Sequence, residues 1–199
     1  MIQPTKTLPP NYTHRGTVNI HNRSDVLQML VWSVILFILP IPLIYLATRN
    51  DGGSPIMFSV SSLTELLIAL GGIAAVTIGM IVIHEGLHGL VFWIVTHERP
   101  KFAFKWYYAS ACAEGWYLPR GPFLIATLLP LAAITTAGLL LLPALHQPVR
   151  FFVTLLILFN ASGCAGDVIV ALRLARLPKG TLSLDKGDEV NFYSPKSEG

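Results

Sequence analysis

Charged residues are scarce in this sequence. Only 13% of its 199 residues are Asp, Glu, Lys or Arg, about half of the ~25% that soluble domains carry, whereas 53% are hydrophobic. The mean hydropathy is +0.59. A chain with so little charge is not an ordinary soluble domain, and its composition indicates a membrane protein.

Cysteine is also rare, and other common signals are missing. Cys112 and Cys164 are too few for a disulfide framework, and neither lies in a Cys-x-x-Cys motif. The basic residues lie around the apolar segments without clustering on one face, so the sequence gives no support for a nucleic-acid partner. The first apolar run follows a long polar stretch without a small-residue cleavage site, so we expect no cleaved signal peptide.

Long apolar runs dominate the sequence and predict an all-α membrane protein with about four transmembrane helices. About 20 consecutive apolar residues cross the hydrocarbon core of a bilayer as a helix. The predicted spans are residues 26–47, 62–96, 122–145 and 149–174. Pro40 and Pro42 should kink the first span. The second span is longer than one straight crossing requires, so it should be tilted, or broken near Gly71 and Gly72.

The four spans define a single integral membrane domain, residues 25–176. Residues 1–24 are polar and contain three prolines, which predicts a flexible or loosely structured arm. Residues 177–199 form a polar tail rich in Gly, Ser, Lys and Asp. We expect this tail to contribute little to any core.

Lys and Arg are distributed unequally around the predicted spans. The arm, the loop between the second and third spans, and the tail carry most of them, whereas the other side receives only Arg49 and Arg150. Loops rich in Lys and Arg stay in the cytosol. The sequence therefore predicts an integral multi-pass protein of the plasma membrane with both termini cytosolic.

Aromatic residues alternate in the loop between the second and third spans. Phe102, Phe104, Trp106 and Tyr108 occupy every second position at the start of residues 101–118, which is strand periodicity. One interpretation is a belt of aromatic side chains at the membrane–water interface. The other is a short β-ribbon whose open edge could bind an extended substrate.

Two histidines and a glutamate interrupt the apolar sequence of the second span. His84, Glu85 and His88 fit the pattern His-Glu-x-x-His, and on a helix the two imidazoles project about 40° apart, toward one point. Zn²⁺ binds neutral imidazole nitrogen, and a catalytic zinc site has three protein ligands and one open position. Glu85 could then take a proton from a water at the metal and donate it to a leaving amine.

The same three side chains could instead form structural hydrogen bonds between helices. A charged side chain at the bilayer centre costs roughly 2.5–3.5 kcal/mol on insertion scales, and ionisable residues within the membrane are functional by default. We therefore favour a metal site.

A third ligand would have to come from another span. Asp167 is the only acidic residue in the third and fourth spans. At 1.5 Å per residue, His88 and His84 lie about 12 and 18 Å from the cytosolic end of their span, and Asp167 lies about 10 Å from that end of the fourth span. These depths allow the three side chains to meet. Cys164 is the competing ligand, or else a small buried apolar residue.

Asn160 is a second polar residue of the fourth span. It lies seven residues before Asp167, two turns along and nearly on the same face of a continuous helix. It could donate a hydrogen bond to the oxyanion of a tetrahedral intermediate, or position the substrate backbone. An amide contact between helices is the alternative.

With HEGLH in one helix and Asn160, Gly166 and Asp167 two spans later, the sequence resembles the membrane-embedded zincin peptidases, a family related in plan to site-2 proteases. The resemblance covers roughly residues 62–175. It departs from the site-2 protease signature, in which Asn and Asp lie two positions apart around a proline.

The resemblance implies one Zn²⁺ per chain, bound by His84, His88 and Asp167, with Glu85 as general base. It also implies hydrolysis of peptide bonds within or near the membrane. We therefore interpret the chain as a zinc-dependent intramembrane metalloprotease whose substrates are membrane-spanning or membrane-associated peptides. The alternative is a non-hydrolytic metal-binding transporter or scaffold, whose function would survive Glu85→Gln.

Overall fold

A computed structural model describes residues 3–49, 59–105 and 108–196 of the chain. The chain divides into two compact units. The sheet unit comprises Met1–Trp32, Glu85–Leu129 and Gly166–Gly199, and the helical unit comprises Ser33–His84 and Pro130–Ala165.

The described residues form six α-helices and six β-strands. The helices are α1 (Arg23–Ile38), α2 (Ile41–Thr48), α3 (Leu63–Thr96), α4 (Arg120–Leu141), α5 (Val149–Gly163) and α6 (Ala165–Ala175). The strands are β1 (Tyr12–Asn19), β2 (Lys101–Lys105), β3 (Tyr108–Cys112), β4 (Tyr117–Pro119), β5 (Leu182–Asp185) and β6 (Glu189–Pro195). A short 3-10 turn, Leu142–Ala144, follows α4.

The helices agree with the predicted spans. Among the described residues, three helical segments are long and apolar enough to cross a membrane: Arg23–Thr48, Leu63–Thr96 and Arg120–Ala144. The pair α5 and α6 makes a fourth if the two are counted as one bent span. This is the pattern of a membrane protein.

Proline and glycine explain the local shape of the spans. The first span is interrupted where we predicted a kink, because α1 ends at Ile38 and α2 begins at Ile41. Pro42 lies in the first turn of α2, where a missing N–H is tolerated. The predicted alternative of a break near Gly71 and Gly72 is not observed, because α3 runs through both. A Cβ on Gly72 would lie 2.5 Å from the ring of Phe152, so this glycine permits close packing.

The fourth span is not the continuous helix that we predicted. It is interrupted at Cys164, between the end of α5 at Gly163 and the start of α6 at Ala165. Glycine weakens a helix because it loses more backbone entropy than other residues, and Gly163 and Gly166 flank the break. Asn160 and Asp167 therefore lie on separate helices, and the argument that they share a face of one helix is wrong.

The prediction of an all-α fold is wrong, because the protein is a mixed α/β membrane protein. An antiparallel sheet in the order β1-β6-β5-β4 joins the N-terminal arm to the tail. Only a short stretch of the sequence indicates this sheet, because in β6 just two apolar residues, Val190 and Phe192, alternate with polar ones. The predicted ribbon is confirmed, because β2 and β3 pair antiparallel from Lys101 with Cys112 to Lys105 with Tyr108. Trp106 lies outside the described residues.

The arm and the tail are part of the core of the sheet unit, contrary to our expectation. Val18 of β1, Leu118 of β4 and Phe192 of β6 are buried against α3, α4 and α6. Complete burial of a phenylalanine side chain such as that of Phe192 stabilises the fold by about 1.5–3 kcal/mol. The two terminal segments therefore stabilise the elements that carry the polar residues of α3 and α6.

A partly buried ion pair fixes the arm to α6. Asp25, at the start of α1, is buried and accepts a hydrogen bond from the backbone N–H of Asn19 at 2.9 Å. It also pairs with Arg173, which donates to the backbone oxygen of Thr17 at 2.8 Å. Because each member of the pair has hydrogen bonds, the desolvation of the two charges is compensated.

The helical unit has a smaller core of its own. Ile44 of α2, Leu142 of the 3-10 turn, and Ile157 and Leu158 of α5 are buried together. A Cβ on Gly138 would lie 2.5 Å from the Ile157 side chain, so a small residue is required there. Close approach of helices at small residues is a common way of packing within a membrane.

Candidate metal centre

The His-Glu-x-x-His residues lie on a regular stretch of α3. His84, Glu85 and His88 are buried, whereas Ile83 and Ile94 are more than half exposed. The helix thus buries polar side chains and exposes apolar ones, the reverse of a helix in a soluble protein. His84 and His88 are one turn apart on a continuous helix, so their imidazoles project from the same face.

In the helical unit, Asn160 holds the imidazole of His84. The fully buried Asn160 donates from Nδ2 to the backbone oxygen of Pro130 at 3.2 Å, and its Oδ1 lies 3.1 Å from Nδ1 of His84. A carbonyl oxygen can only accept, so the contact with Pro130 fixes which end of the amide is the NH₂ group. The Oδ1 atom must then accept a hydrogen bond from Nδ1 of His84.

In the sheet unit, a backbone carbonyl holds the imidazole of His88 in the same way. Nδ1 of His88 donates to the oxygen of Ala126 at 2.8 Å. The other ring nitrogen, Nε2, lies 3.5 Å from Oδ1 of Asp167. Asp167 is in the first turn of α6, and its side chain is partly buried.

Both imidazoles therefore carry a proton on Nδ1. Nε2 is then the nitrogen through which either ring could bind a metal. Histidine ligands of metals in proteins nearly always donate their other N–H to a carbonyl or carboxylate, which fixes the ring and raises its basicity. The hydrogen bonds of His84 and His88 have this arrangement.

The structure also locates the competing donor. Cys164 is fully buried, and its Sγ atom lies 3.9 Å from Nδ1 of His84. It therefore approaches the edge of the ring that Asn160 occupies. The choice between Cys164 and Asp167 as a ligand stays a prediction, as does the role of Asn160 as an oxyanion donor.

Sequence analysis did not identify Asp185 as part of this region. This residue ends β5 and pairs in register with Val190, which packs against the core of the sheet unit, so its side chain is on the inner face of the sheet. Burial raises the pKa of Asp185 to about 7. The neighbouring carboxylates Asp167 and Glu85 add to this rise and the His88 imidazole opposes it.

Three carboxyl groups and one imidazole therefore interact electrostatically within the sheet unit. Asp185 accepts a hydrogen bond from the N–H of Gly187 at 2.8 Å, which holds its carboxyl at the end of β5. Buried carboxylates are stable when they are paired or bind a metal. The sequence contains only a weak indication that Asp185 is important. Leu182 and Leu184 alternate just before it, as in a short strand, and Gly187 follows in a turn.

The chain matches one family model. A family described as putative zincin peptidase covers residues 77–182, which is more than half of the chain and includes His84, Glu85, His88 and Asp167. Comparison with curated proteins and with solved structures finds no match. The predicted family resemblance is confirmed, and at a coarse level the match indicates a metallopeptidase and implies zinc.

Proposed function

We propose that this chain, which belongs to the zincin peptidase family, is a zinc-dependent metallopeptidase that hydrolyses peptide bonds in or near the bilayer. His84, His88 and Asp167 would hold one zinc ion per chain, with Cys164 as the competing donor. The observation that carries the proposal is the 3.5 Å approach of Nε2 of His88 to Oδ1 of Asp167. It supports the ligand set because His84 lies one turn away on the same helix.

The donor atoms fit zinc. Two imidazoles and a carboxylate are a common ligand set of catalytic zinc sites, whereas calcium and magnesium prefer oxygen donors alone. The hydrogen bonds on Nδ1 of both histidines fix the orientation of the rings, and zinc would bind each ring through its other nitrogen. When bound, zinc would supply Lewis-acid polarisation of the scissile carbonyl.

Glu85 is the general base of the proposed reaction. It follows His84 directly and is buried. Its carboxylate would take a proton from the attacking water and donate it to the leaving amine. A buried position supports this role, because an ionised carboxylate acts more strongly where bulk water is excluded.

The β2–β3 hairpin is the proposed binding site for the substrate backbone. All five residues of β2 are exposed, and Phe102 of this strand packs over Gly89, where a Cβ would lie 2.7 Å from the ring. The hairpin thus contacts α3 one residue after His88. A membrane-spanning or membrane-associated peptide would unwind locally and pair with the edge of β2 that faces away from β3 as an additional strand.

We also propose that the protein is oriented with both termini in the cytosol of a plasma membrane. The support is the excess of Lys and Arg in the arm, the β-ribbon loop and the tail. Water would then reach the site from the cytosolic side.

Substitution of Glu85 tests the proposed function. Glu85→Gln keeps the size of the side chain but removes the base, so purified protein should retain about one zinc per chain while cleavage of membrane peptides falls roughly 10²–10⁴-fold. Zinc content is measured by metal analysis and cleavage by mass spectrometry of the products. Glu65→Gln is the matched control, because Glu65 is exposed in the first turn of the same helix.

Two results would contradict the proposal. Wild-type protein that binds no zinc would remove the metal site. Cleavage that is unchanged in Glu85→Gln would remove the general base. Zinc transport that survives Glu85→Gln, in a protein that cleaves no peptide, would favour the non-hydrolytic alternative.

A further inference from the structure

Pro130 interrupts the hydrogen bonding of α4 in its interior. A proline has no backbone N–H, and its ring clashes with the carbonyl of the residue four positions earlier. In α4 that residue is Ala126. The Ala126 carbonyl therefore lacks its normal helical donor.

This carbonyl is the acceptor that holds His88. Ala126 is fully buried, so an unsatisfied carbonyl at this position would destabilise the fold. Nδ1 of His88 donates to this oxygen at 2.8 Å. The proline thus creates an acceptor in an apolar helix, and the histidine satisfies it.

The carbonyl of Pro130 itself holds Asn160. Its oxygen accepts the Nδ2 hydrogen bond of Asn160 at 3.2 Å, which turns Oδ1 of that amide toward Nδ1 of His84. Without this contact the Asn160 amide could rotate by 180° and present a donor to His84. The ring of His84 would then no longer be held as the Nδ1–H tautomer.

We propose that Pro130 is a positioning residue for both histidines. Its missing N–H provides the acceptor for His88, and its carbonyl orients the acceptor for His84. The inference rests on the proposed function, since both histidines act there as zinc ligands. Loss of hydrogen bonds of this kind lowers metal affinity about 10–100-fold.

The test compares Pro130→Ala with Pro122→Ala in the full-length protein. Alanine at 130 restores an N–H that competes with His88 for the Ala126 carbonyl. Pro122 is in the first turn of the same helix, where the N–H has no helical partner in any case, so Pro122→Ala is the matched control. Zinc Kd is measured by chelator competition, and ring N–H protons are measured by NMR of ¹⁵N-histidine-labelled, zinc-free protein.

Pro130→Ala should raise the zinc Kd about 10–100-fold and remove the hydrogen-bonded Nδ1–H signal of His88. The signal of His84 should remain, because the Pro130 carbonyl is still present. Pro122→Ala should match the wild type in both measurements. If Pro130 only shaped α4, the Pro130→Ala variant would keep the Nδ1–H signal of His88. A zinc Kd and a His88 signal that are both unchanged in Pro130→Ala would therefore overturn the inference.

Asn160→Leu tests the second contact and does not alter α4. It should remove the Nδ1–H signal of His84, keep that of His88, and weaken zinc binding. An unchanged His84 signal would overturn the role of the Pro130 carbonyl. If the wild type binds no zinc, the proposed function fails, and the ring N–H signals of zinc-free protein still decide whether Pro130 positions the two histidines.

Discussion

The wild-type protein should become less stable as the pH rises from about 4 to 8, because Asp185 ionises. Replacing Asp185 by asparagine should prevent this decrease. Burial raises the pKa of this carboxyl from 3.8 to about 7 in the folded chain, whereas the unfolded chain keeps an ordinary value. Between about pH 4 and pH 7 the folded state therefore binds more protons than the unfolded state. Raising the pH across this window favours unfolding.

The size of the effect follows from the pKa difference. One pKa unit corresponds to about 1.4 kcal/mol, so the shift from 3.8 to about 7 destabilises the ionised folded state by about 4 kcal/mol. For a protein of this length, each kcal/mol changes Tm by roughly 2–4 °C. Asparagine cannot ionise, and its amide oxygen can still accept the N–H of Gly187. Zinc-free Asp185→Asn should thus melt roughly 8–16 °C above the wild type at pH 8 and at the same temperature at pH 4.

The assay is thermal unfolding of detergent-solubilised, zinc-free protein from pH 4 to pH 8. Asp188→Asn is the control, because Asp188 is in the same turn with a side chain that is 35% exposed and forms an ion pair with the exposed His21, and its Tm should stay close to that of the wild type. Added zinc should reduce the Tm difference between the wild type and Asp185→Asn, since a nearby cation favours the ionised carboxyl and lowers its pKa in the folded chain. A constant Tm difference across the whole pH range would refute the reasoning.

Two further substitutions test the fold and the proposed substrate strand. Phe192→Ala removes a side chain that is 2% exposed and should lower Tm by roughly 6–20 °C. Phe104→Ala, at a position that is 63% exposed, is the control and should leave Tm unchanged. Equal Tm values for the two variants would mean that the tail is not in the core. Gly89→Ala forces the Phe102 ring to move and should raise KM for peptides about tenfold, equivalent to about 1.4 kcal/mol, with zinc content unchanged. Gly79→Ala, which meets no neighbouring atom within 4 Å, is its control, and an unchanged KM in Gly89→Ala would argue against the hairpin as the binding site.

The helices and the His-Glu-x-x-His pattern could be predicted because their signals are local. An apolar run of sufficient length identifies a span, and a spacing of four residues puts His84 and His88 on one helical face. The β2–β3 ribbon was also accessible, since aromatic residues alternate over several consecutive positions. In each case the determining contacts lie within a few residues of one another in the sequence.

The sheet and Asp185 depend on contacts between distant residues. β1 pairs with β6, so that Val18 lies opposite Val190, and no local pattern specifies such a partner. The strands of the tail are short, and the polar composition of residues 177–199 conceals their alternation. The break at Cys164 was missed because no proline marks it. The importance of Asp185 follows only from its position on the inner face of the sheet.

The acidic groups of the sheet unit give the proposed cation a second source of support beside the sequence motif. Glu85, Asp167 and Asp185 all interact with one another or with His88, and a cluster with three carboxyl groups is unstable in a buried region unless positive charge or protons balance it. Structural hydrogen bonding between helices would need polar groups but not three acids. A divalent ion would balance this charge, which agrees with the zinc that the family implies.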